Sequence, residues 1–213
     1  MIDLGVPSVA ELHKRRSEKW ALFDDDVLSA TIAEMDFPIA APISEVLHAA
    51  LERNDLGYAM PTTVSLCDAF AAFAARRLDG AVDPGQVTVV PDVMAGLVEL
   101  CRTIAEPGDV VAFATPAYPP FFRELSAAGM RLAFVGLTAD GAIDLDELDE
   151  ALARGVRVLV LANPHNPTRV ELEATAERCA STGTWVLADE IHAPLVLPGG
   201  GSTTASPAPV ACA

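Results

Sequence analysis

The sequence is poor in positive charge, in aromatic residues and in paired cysteine. Fourteen Lys and Arg face thirty Asp and Glu, a formal net charge of −16. Only Lys14 and Lys19 are lysines, and none follows residue 19. Such an acidic chain excludes nucleic acid as a partner, because phosphates are repelled and no basic contacts release their counterions. Cys67, Cys101, Cys179 and Cys212 lie far apart with no CxxC pair. That spacing fits neither a zinc site nor a disulfide framework, so they read as small buried hydrophobes in a reducing compartment. His13, His48, His165 and His192 lack ligand spacing too, which leaves no metal site. No apolar run approaches the ~20 residues that span a bilayer. The first twenty residues carry scattered charges and no leader-like apolar core. The expectation is a cytoplasmic protein that touches no membrane. A G-x-G-x-x-G loop, a P-loop and a G-x-S-x-G elbow are also missing. Their absence argues against dehydrogenase-type dinucleotide binding, P-loop phosphate chemistry and Ser-His-Asp hydrolysis.

What is present is apolar and periodic. Half of the 213 residues are hydrophobic, enough for one large domain, or one and a fraction. Ser8-Val-Ala-Glu11 has the pattern of a capping box and predicts a short helix over Val9–Glu18. Trp20–Phe37 reads as an extended arm. Pro42 opens a helix with Ile43, Val46, Leu47, Ala50 and Leu51 on one face. A second helix, about Thr63–Leu78, is expected to bury Leu66, Phe70, Phe73 and Ala74. Strands and helices then alternate. Strands are predicted at Val87–Val90, Val110–Ala114, Met130–Val135, Val156–Ala162 and Trp185–Ala188, with helices between them. That rhythm implies a mostly parallel sheet with right-handed crossovers. Gly199–Ala213 holds no charge and little but Gly, Ser, Thr, Ala and Pro, and reads as a disordered tail.

Two of these strands end abruptly in polar residues. Val158-Leu-Val-Leu-Ala runs into Asn163-Pro-His-Asn166-Pro-Thr168, and Trp185-Val-Leu-Ala runs into Asp189-Glu-Ile-His192. Continuous apolar runs of this kind are strands buried on both faces. Ligands bind outside the carboxyl ends of such strands, so Asn166 and Asp189 fall where a ligand should sit.

Taken together, Ala33-Glu-Met-Asp-Phe-Pro38, Leu56-Gly-Tyr58, Pro116-Ala-Tyr-Pro-Pro-Phe121, Asn163-Pro-His-Asn-Pro-Thr168 and Ala188-Asp-Glu-Ile-His192 resemble one family. It is the pyridoxal-phosphate enzymes of the aspartate aminotransferase fold, class I/II, and within them the cystathionine β-lyase-like carbon–sulfur lyases. The resemblance covers about Trp20–Leu197. It implies a three-layer α/β/α fold with a mostly parallel sheet, an incomplete copy of the family's large domain. The implied organisation is an N-terminal arm and small-domain segment over 1–40, the cofactor-binding large domain over 41–197, and the tail over 198–213. It also implies pyridoxal 5'-phosphate as cofactor, an amino-acid substrate and a homodimer.

Residue by residue, the resemblance places Asp189 on the cofactor's ring nitrogen and Asn166 on its phenolic oxygen. Tyr118 would stack on the ring. The backbone N–H groups of Val93 and Met94, at a helix start, would hold the phosphate, although the family has glycine where Asp92 stands. Tyr58 would reach the phosphate of a neighbouring subunit. His192 falls beside the cofactor and, like His165, would stand behind the residues that touch it or serve the structure, not the catalysis. Met35 and Asp36 would line the substrate side.

The same resemblance exposes what is missing. The family's chemistry needs a nucleophilic lysine, which should follow Asp189 by some tens of residues; none is there, so no catalytic residue is assigned. The arginine that clamps the substrate carboxylate has no counterpart. Thr168-Arg-Val-Glu-Leu172 lacks a glycine and about half a dozen residues of the family pattern. The expectation is a C-terminally truncated or frame-shifted chain, inactive by itself. Val87–Val90 should lack a ladder partner, and Trp185–Ala188 should form an exposed, aggregation-prone edge. Two readings stand beside the lyase: an aminotransferase on the same cofactor, and a catalytically dead remnant or binding protein.

Overall fold

The structure is a computed structural model, described over residues 5–58, 64–78, 81–165, 173–196 and 210–212. It divides into two compact units, Met1–Ala59 and Met60–Ala213. In this division the first long helix groups with the N-terminal arm.

In the first unit, α1 (Val9–Leu12), α2 (Glu18–Ala21) and α3 (Ala41–Glu52) are joined by irregular chain. The capping box forms, with Ser8 N–H and Oγ both donating to Glu11 Oε2 at 2.8 and 2.7 Å. The helix predicted to run from Val9 to Glu18 is instead broken in two. Lys14, Arg15 and Arg16 stand consecutively between the pieces, and Arg15 and Ser17 turn outward to bond the segment around Glu34–Asp36. Ser17 Oγ donates to Glu34 Oε1 at 2.6 Å. Arg15 donates to the Asp36 carbonyl at 2.9 Å. Lys19 Nζ donates to Asp36 Oδ2 at 2.9 Å and to the Glu34 carbonyl at 3.0 Å, while Trp20 Nε1 donates to Asp36 Oδ1 at 2.8 Å. α3 begins with Pro42 in its first turn, as the sequence predicts, yet none of its residues is buried.

In the second unit the parallel sheet predicted from the sequence is present. β1 (Val110–Ala114), β2 (Arg131–Val135), β3 (Val156–Ala162), β4 (Trp185–Asp189) and β5 (Val210–Cys212) lie in the order β2-β1-β3-β4-β5, each neighbouring pair parallel. α4 (Val64–Arg77) and α5 (Val93–Ile104) precede β1. α6 (Pro119–Ala127), α7 (Leu145–Ala153) and α8 (Glu173–Thr182) supply the crossovers. Asp144 caps α7 by accepting from the N–H groups of Asp146 and Glu147 at 3.0 and 3.1 Å. Gly155 and Gly183 end α7 and α8 at φ 86° and 71°, the left-handed backbone that turns each helix into the next strand.

Side chains alternate across the strands, and the alternation sorts them into two cores. Val111, Phe113, Val158, Val160, Ala162 and Leu187 pack with Leu97 and Cys101 of α5 and with Phe121 and Leu125 of α6. Ala112, Ala114, Val135, Leu159 and Leu161 pack with Leu148, Ala151 and Leu152 of α7 and with Cys179 of α8. These are the helix–sheet–helix layers. Cys67, Cys101 and Cys179 are buried free thiols, as the sequence predicts, and burial pushes the thiols of Cys101 and Cys179 up to about 11.

Three expectations are corrected. Val87–Val90 joins no strand; it follows the short turn Pro84–Gln86, and its Val87 carbonyl accepts from the Cys67 thiol. α4 buries Cys67 and Ala74, whereas Leu66 and Phe70 are exposed. Its inner face is thus set by small residues that let the helix approach the Val87 segment closely. The outer edge of β4 is not bare, because Val186, Leu187 and Ala188 pair with Val210, Ala211 and Cys212 from the stretch read as a disordered tail.

Candidate functional site

The sheet order places a topological switch between β1 and β3. From β1 the chain crosses through α6 to β2 on one side, then returns through α7 to β3 on the other. Open α/β sheets bind ligands outside the carboxyl ends at such a point. Three segments meet there: Thr115–Tyr118 after β1, Asn163–His165 after β3, and Asp189–His192 after β4.

The helix α5 brings a fourth. Its last turn lies at the amino end of the sheet, where Arg157 near the start of β3 donates to the Ile104 carbonyl at 2.8 Å. Twelve residues of helix rise about 18 Å, close to the length of a five- to seven-residue strand at ~3.3 Å per residue. The first turn of α5 therefore arrives level with the carboxyl ends of the strands. It is also on the correct face. Leu187 packs in the same core as Leu97 of α5, and Asp189, two residues beyond Leu187, points to that face by the strand's alternation.

Asp189 is buried to 6% exposure and ends the ladder opposite Ala162. Ile191 N–H donates to its Oδ1 at 3.1 Å. Burial holds the carboxyl above its ordinary value; the Ile191 hydrogen bond and nearby His192 pull it down, and neighbouring Glu190 pushes it up. A carboxylate at such a place is a poor anion by itself and a strong partner for a cation.

The α5 end is less straightforward. Val93 and Met94 occupy its first turn, where a helix leaves N–H groups without intrahelical acceptors and favours an anion. Asp92 caps the helix, its Oδ1 accepting from Ala95 N–H at 2.8 Å. A bound phosphate would share that helix end with a carboxylate. Tyr118 stands at the N-cap position of α6, half-exposed, its ring edge-on to Phe121 at 5.8 Å between centroids.

Asn163, Glu190 and His165, which lie within the motifs that follow β3 and β4, take definite positions. Asn163 continues the β3–β4 ladder, its N–H donating to the Asp189 carbonyl at 2.8 Å. Its side-chain Nδ2 donates to Glu190 Oε1 at 3.1 Å. His165 is buried and hydrogen-bonds the Ala114 backbone at the end of β1; burial pulls its imidazole below the ordinary value, and that bond opposes the shift. The signal for Asn163 was its place: it follows β3 as Glu190 follows β4, but only the strand register shows that the two face each other.

Of the predicted site residues, Asp189, His192, Tyr118, Val93 and Met94 gather at this edge of the second unit. Asn166 lies outside the described residues. Tyr58, Met35 and Asp36 belong to the first unit. Tyr58 and Met35 are exposed there, and both oxygens of the Asp36 carboxylate are engaged by Lys19 and Trp20. Asp36 is thus an anchor of the arm, a role that sequence alone did not suggest. Lys19, one of the two lysines, is buried in that ion pair.

Comparison with known proteins identifies the family and the fold. The profile of the family described as aminotransferase class I and II matches residues 26–208. A Mycobacterium leprae protein with a provisional cystathionine beta-lyase name is 38% identical over 206 residues, covering 90% of this chain and 51% of its own. The cystathionine beta-lyase of Corynebacterium glutamicum is 33% identical, over 91% of this chain and 53% of its own. A crystal structure from Corynebacterium diphtheriae, described provisionally as a PLP-dependent beta-cystathionase, superposes with a TM-score of 0.80 at 31% identity, covering 87% of this chain and 50% of that one. The chain spans about half the length of the curated relatives it matches.

Proposed function

The chain belongs to the aminotransferase class I and II family, and on that footing we propose that it forms the cofactor-binding half of a pyridoxal-phosphate-dependent carbon–sulfur lyase. The reaction class is β-elimination from cystathionine or a related cysteine S-conjugate, giving a thiol, pyruvate and ammonia. The observation that carries the cofactor is Asp189: a buried carboxylate at a strand's carboxyl end, with raised proton affinity, on the same face as a helix N-terminus. The lyase assignment leans on the cystathionine lyases among the relatives.

When bound, pyridoxal phosphate supplies an electron sink for the substrate's Cα. The chain's own residues do the rest of the work visible at this edge. Asp189 holds a proton on the ring nitrogen, and the ion pair so formed removes the desolvation cost that its lone charge carries. The Val93 and Met94 amides hold the phosphate against the opposition of Asp92. Tyr118 covers one ring face and excludes water. His192 stands beside Asp189 and adds to the local positive potential when protonated. Asn166 is assigned the phenolic oxygen, Tyr58 the phosphate of a partner subunit, and Met35 the substrate side. Asp36 positions that segment from behind. A cytoplasmic homodimer is the setting this reading assumes.

A second reading is favoured by the lysines. Lys19 is committed to Asp36 and the Glu34 carbonyl, and Lys14 is the only other. The 213-residue chain is therefore expected to bind the cofactor reversibly without turning over substrate. Titration with pyridoxal phosphate, followed by visible absorbance and tryptophan quenching, should show saturable binding that Asp189→Asn weakens about tenfold or more. Borohydride should leave no cofactor attached to the chain. Absence of saturable binding overturns the cofactor assignment. Release of pyruvate from cystathionine by the chain alone overturns the binding-only reading, and transfer of nitrogen to a keto acid overturns the lyase assignment in favour of an aminotransferase.

A further inference from the structure

The amino end of the sheet, opposite the Asp189 edge, holds a cleft of about 480 Å³ that the proposed chemistry does not use. Small-molecule sites enclose roughly 300–1,000 Å³. Thr103 and Ile104 at the end of α5, Glu106 and Asp109 in the turn that follows, Arg157 of β3 and Trp185 of β4 line it. The strand rises roughly 13 Å from Trp185 to Asp189, so the cleft and the Asp189 edge are separate places.

Arg157 reaches the cleft through an irregularity in the sheet. Val110 pairs with Val156 but Val111 pairs with Val158, so Arg157 is the extra residue of a bulge. Val156 and Val158 consequently pack into opposite cores, where an unbroken strand would put both on one face. Bulges re-aim side chains. This one sets Arg157 Nε on the Ile104 carbonyl at 2.8 Å. The side chain is exposed, and among the described residues no carboxylate forms an ion pair with it. The rest of its planar fork of N–H donors faces outward chemistry of its own kind, a carboxylate above all.

The wall beside it has the opposite sign. A helix C-terminus leaves carbonyls without intrahelical donors and favours cations. The turn after α5 is closed twice, by Asp109 N–H donating to the Glu106 carbonyl and by Glu106 N–H donating to Asp109 Oδ2, both at 2.9 Å. That closure keeps the exposed Glu106 two residues beyond the carbonyl that Arg157 meets. Trp185 supplies an apolar wall. It lies on the α5 face by alternation with Leu187, and 37% of it remains exposed.

These walls discriminate by charge. A simple anion would meet Arg157 but also two acidic side chains and the negative end of α5. A simple cation would meet those and also a guanidinium. A molecule that carries both charges close together satisfies each wall, and an aromatic group on it covers the indole. We propose that the cleft is a second ligand site, for a free α-amino acid with an aromatic side chain: Arg157 takes the carboxylate, Glu106 and the last carbonyls of α5 take the ammonium, and Trp185 takes the ring. This site does not depend on the cofactor reading.

The test titrates L-phenylalanine into the full chain by calorimetry, and into Arg157→Lys, Glu106→Gln and Asp189→Asn, with far-UV circular dichroism confirming each fold. Arg157→Lys keeps a donor for the Ile104 carbonyl but lacks the planar fork. Glu106→Gln leaves the backbone turn intact, so it serves if Arg157→Lys does not fold. Saturable binding is expected, weakened about two- to fivefold by each of these two changes and unchanged by Asp189→Asn. N-acetyl-L-phenylalanine lacks the ammonium and L-phenylalaninamide lacks the carboxylate, so both should bind more weakly than the amino acid. Pyridoxamine phosphate, which has no aldehyde to condense with the amino acid, should not compete. Absence of saturable binding, or equal affinity for the amino acid and both blocked analogues, overturns the proposal. Competition by pyridoxamine phosphate, or loss of binding in Asp189→Asn, places the amino acid at the carboxyl ends of the strands and overturns it too. If phenylalanine binds as expected while pyridoxal phosphate does not bind at all, this site stands and the cofactor reading falls.

Discussion

The two units place an aspartate at the centre of opposite arrangements. Asp36 in the first unit is satisfied: Lys19 and Trp20 meet its two oxygens, and the Lys19 hydrogen bond holds its carboxyl below the ordinary value. Asp189 in the second unit is buried, met among the described residues by the Ile191 N–H, and burial holds it above that value. The contrast extends to packing. Among its described residues the first unit has Leu12 and Trp20 as buried apolar side chains, and α3 buries none. The second is built on two apolar cores in which Phe113, Leu159 and Leu97 are almost fully enclosed. A region held by a polar hub spends its carboxylate on structure. A region held by an apolar core can carry one that burial holds above its ordinary value, and that is where a ligand is wanted.

The sharpest way to break this comparison is to cut each unit's support. Phe113→Ala should destabilise the second unit by about 3–5 kcal/mol, read from the denaturant midpoint. Val46→Ala on the exposed face of α3 should stay within about 0.5 kcal/mol of the unchanged chain. Equal effects would mean that the α3 face is buried in solution and that the contrast is false.

Next in size is Asp189→Asn. Without cofactor, Asp189 has a raised folded value, so the folded state binds more protons than the unfolded one between the ordinary carboxylate range and that value. Stability is then full below this window and declines as pH rises through it. The asparagine variant escapes the decline. Thermal melts should show it at least as stable as the parent at neutral pH, the difference vanishing in acid, while its affinity for pyridoxal phosphate falls about tenfold or more. A variant that is less stable at neutral pH would show that the carboxylate has a structural partner.

Asp36→Asn should behave in reverse. A depressed carboxylate contributes stability above its ordinary value, and that contribution is lost as pH falls through the lowered one. The parent arm should loosen in acid and the variant should already be loose at neutral pH. Amide exchange across residues 8–37 reports both, and protection that ignores pH and the substitution alike would contradict the hub.

The smallest expected effect is at α5. Asp92→Asn keeps a side-chain acceptor for Ala95 N–H but removes a charge beside the first-turn amides, so affinity for pyridoxal phosphate should rise about two- to fivefold at low salt. A loss of affinity would place the phosphate elsewhere.

Much of the second unit was legible because its strands are apolar on both faces and end in turn formers. Val156–Ala162 and Trp185–Ala188 need no tertiary information to be read as buried strands, and the polar residues after them mark the ligand edge. Val87–Val90 looked the same over four residues and was misread, since a short apolar run becomes a strand only if a partner lies beside it. Leu66 and Phe70 were misplaced for a related reason: periodicity locates a helix, but small residues at Cys67 and Ala74 decided which face came close. The pairing of Val210–Cys212 with β4 was invisible, because low-complexity chain carries no pattern that names a register. The resemblance put Asp36 on the substrate side, and only the structure shows its contacts with Lys19 and Trp20.

Composition and pattern alone determined an acidic α/β chain, the positions of its buried strands, the carboxylate at Asp189 and the confinement of lysine to residues 14 and 19, since these depend on residue type and local period. Tertiary structure decided that Asp189 shares a face with the first turn of α5, that Asn163 holds Glu190 across the strand end, and that Asp36 is already engaged. Those facts depend on which distant segments the fold brings into register, and no local pattern of side chains encodes that distance.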